Sequence, residues 1–240
     1  MFGLAALVIA THQHRKLLPD VRAFLSVQQR ILAVKTSTGW HVPADSNRFS
    51  AKPYHVVTSL LGKAGLENGG VNVHKDSEWG WVAEADKDLP YDEVACYGVR
   101  PKFPRKVITT GDPKGVYRDA VLAIFKARKF PVDRVDSLQI CRTDLRGDGN
   151  EEVLVAAQVT GKVNPATVVF LRQLTSKGVS TEILEYQVMG FPQIAAIGDF
   201  TGDGTMQAVI AGGISDGAMG SLWSFKSVKP KKLAGFIWGE

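Results

Sequence analysis

Two nine-residue segments of the 240-residue chain carry oxygen donors at alternate positions. They are Asp144-Leu-Arg-Gly-Asp-Gly-Asn-Glu-Glu152 and Asp199-Phe-Thr-Gly-Asp-Gly-Thr-Met-Gln207, 55 residues apart. Alternate side chains of a tight loop converge on one point, where a hard cation such as calcium takes roughly six to eight oxygens. In loop 1 the candidate metal ligands are Asp144, Asp148, the carbonyl of Asn150, and Glu152. Arg146 stands at the third position, where a carboxylate or hydroxyl is wanted. In loop 2 they are Asp199, the hydroxyl of Thr201, Asp203 and the carbonyl of Thr205, with neutral Gln207 at the ninth position. Each loop lacks one good ligand, so two readings stand. Either calcium is the cofactor of one or both loops, or both are metal-free β-turns whose Asp144 and Asp199 bond to backbone amides, with Arg146 itself neutralising the carboxylates of loop 1. If calcium binds, Arg146 is expected to turn outward, because burying a cation beside an ion is costly. Loop 1 would then keep three carboxylates and be the tighter site.

Other constellations carry less. Gly213-Ile-Ser215-Asp-Gly217 has the letters of a nucleophile elbow, but all five histidines precede Ser215 and a strand, not a helix, is expected to follow. A connecting turn is the better reading. Arg146-Gly147-Asp148 spells an adhesion tripeptide inside loop 1. His12 and His14 have no third ligand at a recognisable spacing. Asp86, Asp88, Asp92 and Glu93 read as a charged surface loop, and sequence cannot give the separation that a catalytic carboxylate pair needs. No phosphate-cradling glycine loop is present. No catalytic residues are assigned.

Both aspartate loops sit in the same strand context. Ser137–Thr143 and Gln193–Gly198 precede them, and Glu152–Val159 and Gln207–Gly212 follow. Third strands are expected at Thr167–Leu174 and Ser221–Val228, and fourth strands at Ser180–Val188 and Lys232–Trp238. Period-two patterning supports these assignments: Leu184, Tyr186 and Val188 share one face, with Glu185 and Gln187 on the other. Four antiparallel strands in about 50 residues is the layout of a propeller blade. Two blades cannot close a ring, so they must pack on each other or on the N-terminal half. In that half the stripe Tyr117, Ala120, Val121, Ile124 and Phe125 marks a helix over Tyr117–Lys129, between Asp112-Pro113 and Pro131. Val21–Val42 reads as two or three strands. Tyr54–Leu61 fits strand or helix, and Asn68–Pro90 a long surface excursion around Trp79 and Trp81.

The paired loops and their strands resemble FG-GAP (VCBS-type) repeats, over roughly the last hundred residues. That resemblance implies a β-rich, often extracellular module with calcium in its hairpin loops. The chain also resembles uncharacterised bacterial exported proteins in which such repeats follow a small N-terminal α+β region.

Composition narrows the class further. Hydrophobic residues at 45% and charged residues at 22% fit a globular chain and not a disordered one. The net charge of +5 is carried by scattered basic residues without the clustered cations and aromatics of a nucleic-acid footprint. No apolar run reaches the ~20 residues of a spanning helix. Cys96 and Cys141 could pair in an oxidising compartment or remain buried thiols. Met1–Ala10 is apolar and ends in small residues, as a signal-peptide remnant or a buried first element would, which favours export.

The sequence therefore predicts an α+β protein. It consists of an N-terminal mixed α/β portion (1–131) and a second portion (132–240) of two four-stranded antiparallel repeats, about 137–190 and 192–240. The expected function is a non-enzymatic exported module that binds a protein or carbohydrate partner or plays a structural role. The alternative is a hydrolase acting on cell-surface material, with its site in residues 68–90.

Overall fold

The computed structural model describes residues 21–27, 29–45, 49, 54–57, 68–69, 71–77, 80–85, 94–98, 101–104, 108–109, 111–112, 114–162 and 164–238. Eight strands form an N-terminal sheet: β1 (Ala23–Val27), β2 (Arg30–Thr36), β3 (Gly39–His41), β4 (Tyr54–Val57), β5 (Asn68–Gly69), β6 (Val71–Asp76), β7 (Gly80–Ala85) and β8 (Val94–Tyr97). Next come β9 (Ile108–Thr109) and helix α1 (Val116–Ala127). The meander β10 (Val132–Thr143), β11 (Glu152–Gly161), β12 (Pro165–Thr175) and β13 (Gly178–Val188) takes β9 onto its β10 edge to make a five-stranded sheet. A four-stranded meander, β14 (Gln193–Gly198), β15 (Gln207–Ile214), β16 (Gly217–Ser224) and β17 (Lys231–Trp238), completes the chain.

The expected α+β class is therefore corrected: among the described residues there is one helix against seventeen strands, and the fold is nearly all β. The N-terminal portion is not mixed α/β, because its hydrophobic segments are strands buried on both faces. In β1 every residue is buried, and in β2 all but Lys35. The strands expected in Val21–Val42 are β1, β2 and β3, and Tyr54–Leu61, which fits strand or helix by its pattern, holds β4; among the described residues only α1 is helical in this portion. The predicted surface excursion at 68–90 instead contains the β6–β7 hairpin, with Val73 paired to Ala83 and Lys75 to Trp81. Trp81 donates to the Ala44 carbonyl and stacks obliquely on Phe49. The third strand of the last meander begins at Gly217, four residues earlier than expected. Ser215-Asp216 makes a two-residue hairpin turn between the paired Ile214 and Gly217, with Ser215 at φ 39°.

The sheets stack in layers with the last meander in the middle. Along β15 the side chains alternate strictly. Ala208 and Ile210 join Cys141, Leu154, Ala156, Val169 and Leu171 of the five-stranded sheet. Val209 and Ala211 join Leu25, Val27, Leu32, Val94 and Cys96 of the N-terminal sheet. The far face of the five-stranded sheet is covered by α1, whose Val121 and Phe125 are fully buried against Val155, Val168 and Phe170. Asp112 Oδ2 accepts the amides of Tyr117 and Arg118 at 3.0 and 2.8 Å and so caps that helix.

Polar ties join the two meanders. The Gln139 amide both donates to the Ile194 carbonyl and accepts from the Ile194 N–H, at 3.0 and 2.8 Å. Gln173 donates to the Val228 carbonyl. In each case the partners are 55 residues apart, the spacing of the aspartate loops. Glu185, nearly buried, accepts from Trp223 Nε1 and from Lys232 Nζ. Cys96 and Cys141 do not form a disulfide and are buried in different core clusters. Burial pushes the Cys141 thiol up to about 11 and that of Cys96 further. No helix among the described residues is long and apolar enough to cross a membrane.

Candidate functional site

Each aspartate loop joins the first two strands of its meander. Loop 1 follows β10 and closes where Thr143 pairs with Glu152; loop 2 follows β14 and closes where Gly198 pairs with Gln207. The first aspartate organises each turn. Asp144 accepts the amides of Gly147, Asp148 and Gly149 at 2.7, 3.2 and 2.9 Å. Asp199 accepts those of Gly202, Asp203 and Gly204 at 2.6, 3.1 and 2.9 Å. A carboxylate gathering three N–H groups fixes the loop without any further partner. The second aspartate repeats the device on a smaller scale: Asp148 takes the amide of Asn150, and Asp203 that of Thr205.

The ninth positions also correspond. Glu152 Oε2 accepts the Leu145 amide at 2.9 Å, and Gln207 Oε1 accepts the equivalent Phe200 amide at 2.7 Å. Their second atoms differ. Glu152 Oε1 faces Arg146 Nε at 3.6 Å. Gln207 Oε1 also takes the Thr201 amide, so Nε2 must point the other way, to the Thr205 carbonyl at 2.9 Å and the Thr201 hydroxyl at 3.1 Å.

Arg146 does not turn outward as expected. Its side chain is 17% exposed, lies 3.9 Å from Asp148 Oδ2 as well as against Glu152, and donates to Gln173 Oε1 on β12. The cost expected of burying this cation is offset because two carboxylates and an amide oxygen surround it. Burial raises the Glu152 carboxyl above its usual range, against the pull of the Leu145 amide and Arg146. Burial also raises that of Asp203. Hydrogen bonds from the Thr205 hydroxyl and amide, the Thr201 hydroxyl and the Lys226 ammonium outweigh it and hold Asp203 well below the usual range. Lys226 Nζ lies 3.2 Å from Asp203 Oδ2.

Calcium is poorly matched to both loops. In loop 1, Arg146 lies beside Asp148 and Glu152, two of the four expected ligands. In loop 2, Gln207 Nε2 donates to the two oxygens, of Thr201 and Thr205, that a metal would share with Asp199 and Asp203. Among the described residues, no three His, Cys, Asp or Glu side chains are grouped to hold a metal ion.

The two loops meet. Gly147, at φ 74°, lies so close to loop 2 that a Cβ there would come within 2.9 Å of the Gly204 carbonyl. Met206 N–H donates to the Leu145 carbonyl, and Asp199 N–H to that of Lys102. Lys35, on β2, donates to the Thr201 carbonyl and ties loop 2 to the N-terminal sheet. Between the loops and the segment Lys102-Phe103-Pro104 opens a cleft of about 590 Å³, also lined by Thr143, Glu151, Asp199 and Met206. Sequence reasoning found the loops but missed Lys102–Pro104, Gln173 and Lys226. No motif marks them, and each reaches the loops only through the stacking of sheets.

The other sequence candidates fall elsewhere. Ser215 is the hairpin-turn residue already described. Arg146-Gly147-Asp148 is not displayed as a tripeptide, since its arginine is tucked under loop 1. His12, His14, Trp79, Asp86, Asp88, Asp92 and Glu93 lie outside the described residues, as does the apolar Met1–Ala10 segment.

The chain has no significant match to a protein-family model, a curated protein or a solved structure. The resemblance to FG-GAP repeats thus rests on the loop motif and its strand context.

Proposed function

We propose that this protein is a non-catalytic binding module, in which two FG-GAP-like β-meanders present a ligand cleft between their aspartate loops. The observation that supports this reading most is the convergence of both loops, from different sheets, on one cleft of about 590 Å³ closed by Lys102–Pro104. Its size falls within the ~300–1,000 Å³ of small-molecule and side-chain-sized pockets. Its walls are held by a hydrogen bond between the loops, and by one from Asp199 N–H to the Lys102 carbonyl. Thr143, Glu151 and Lys102 line it beside Phe103 and Met206. Such a mixture suits a polar partner with an apolar face, such as a sugar ring or a peptide side chain. Crystals soaked with a panel of monosaccharides and capped amino acids should show density between Glu151 and Phe103. Occupancy confined to other surfaces, or none across the panel, would contradict this reading.

A further inference from the structure

We propose that both aspartate loops are built to close without metal, with Arg146 serving as the resident cation of loop 1 and the Gln207 amide as the resident donor of loop 2. The oxygens at issue are already engaged. The Arg146 guanidinium lies among Asp148 Oδ2, Glu152 Oε1 and Gln173 Oε1 at 17% exposure. Glu152's other oxygen is committed to the Leu145 amide. A calcium ion there would have to expel a paired arginine and face its residual charge.

In loop 2 the orientation of Gln207 is not free. Two backbone amides, of Phe200 and Thr201, require an acceptor, so Oε1 faces them and the NH₂ group faces inward. That group donates to the Thr205 carbonyl and the Thr201 hydroxyl. Rotating the amide to offer oxygen to a metal would set its N–H groups against those two amides, leaving buried donors unpaired. Lys226 further neutralises Asp203 from the solvent side. The third and ninth positions differ as pairs: arginine with glutamate in loop 1, threonine with glutamine in loop 2. Each pair is self-sufficient, one by charge and the other by hydrogen bonding. The hairpins, and any binding between them, are then independent of calcium supply.

The test uses the full chain and calcium itself, with thermal unfolding and titration calorimetry in chelator and in millimolar calcium. Wild type should show the same melting temperature in both and no saturable heat. Arg146→Asp supplies a third-position carboxylate, the fourth of loop 1, and Gln207→Glu a ninth-position carboxylate in loop 2. Each should melt lower than wild type in chelator and regain several degrees with calcium. If Arg146→Asp fails to fold, Gln207→Glu and the wild-type titration carry the test. A saturable calcium heat in wild type that disappears in Asp148→Ala or Asp203→Ala would overturn the proposal. So would two folded variants that remain silent to calcium.

Discussion

Two of the five differences between the loops, at their third and ninth positions, set Arg146 against Thr201 and Glu152 against Gln207. Each difference is intelligible only with the other. Glu152 is 3% exposed and shares Arg146 with Asp148 and Gln173. Removing the arginine strands a buried carboxylate, so Arg146→Thr should cost about 3 kcal/mol in urea denaturation. Glu152→Gln retains the acceptor for the Leu145 amide but loses the ion pair, and should cost less, about 1 kcal/mol. The double variant has the residue pair of loop 2 and should recover most of the loss, with a coupling of about 1–3 kcal/mol. Strict additivity would mean that Arg146 and Glu152 do not act as a unit. The sequence alone marked both turns and their strand context, because Asp-x-x-Gly-Asp-Gly fixes local geometry through residues close in the chain. It misplaced Arg146, because the partner that draws the guanidinium inward, Gln173, lies 27 residues away on another strand.

Among the elements, the strands close in sequence were legible and their pairing over long separations was not. The predicted limits of β13 nearly match the observed strand, but its expected shared face does not hold: a bulge at Leu184 places Leu184 in the core between the meanders and Tyr186 in the core under α1. β1, β2 and β3 fall in Val21–Val42, where two or three strands were expected, and β15 covers the expected Gln207–Gly212; what the sequence did not show is how the N-terminal strands pair, since β1 joins β8 across some seventy residues. The helix was legible from its stripe. Its role as cover for the five-stranded sheet was not, since that depends on where β10–β12 lie. What joins neighbouring sheets is also invisible in sequence. The Gln139 side chain satisfies both backbone groups of buried Ile194. Gln139→Ala leaves that N–H and C=O unpaired between two sheets, and should destabilise by about 2 kcal/mol. A change below a few tenths of a kcal/mol in chemical denaturation would show that water replaces the side chain there.

The whole molecule is a stack whose middle sheet has no face of its own. Val209 and Ala211 belong to one core and Ala208 and Ile210 to the next, so neither core survives loss of β15. Unfolding should therefore be a single cooperative transition, with calorimetric and van't Hoff enthalpies equal. The amides of Val209 and Ile210 should be among the slowest to exchange with solvent. Two resolved transitions would mean that the N-terminal sheet folds apart from the meanders. The same stack brings loop 1 and loop 2 edge to edge and frames the cleft. The claim that these loops are closed by the protein's own donors is tested most directly by following the backbone amide resonances of Gly147, Gly149, Gly202 and Gly204 during a calcium titration of the native chain. These four N–H groups bond to Asp144 and Asp199, so they report any ion entering either loop. The account predicts that they stay in place up to millimolar calcium; saturable shifts confined to them would contradict it.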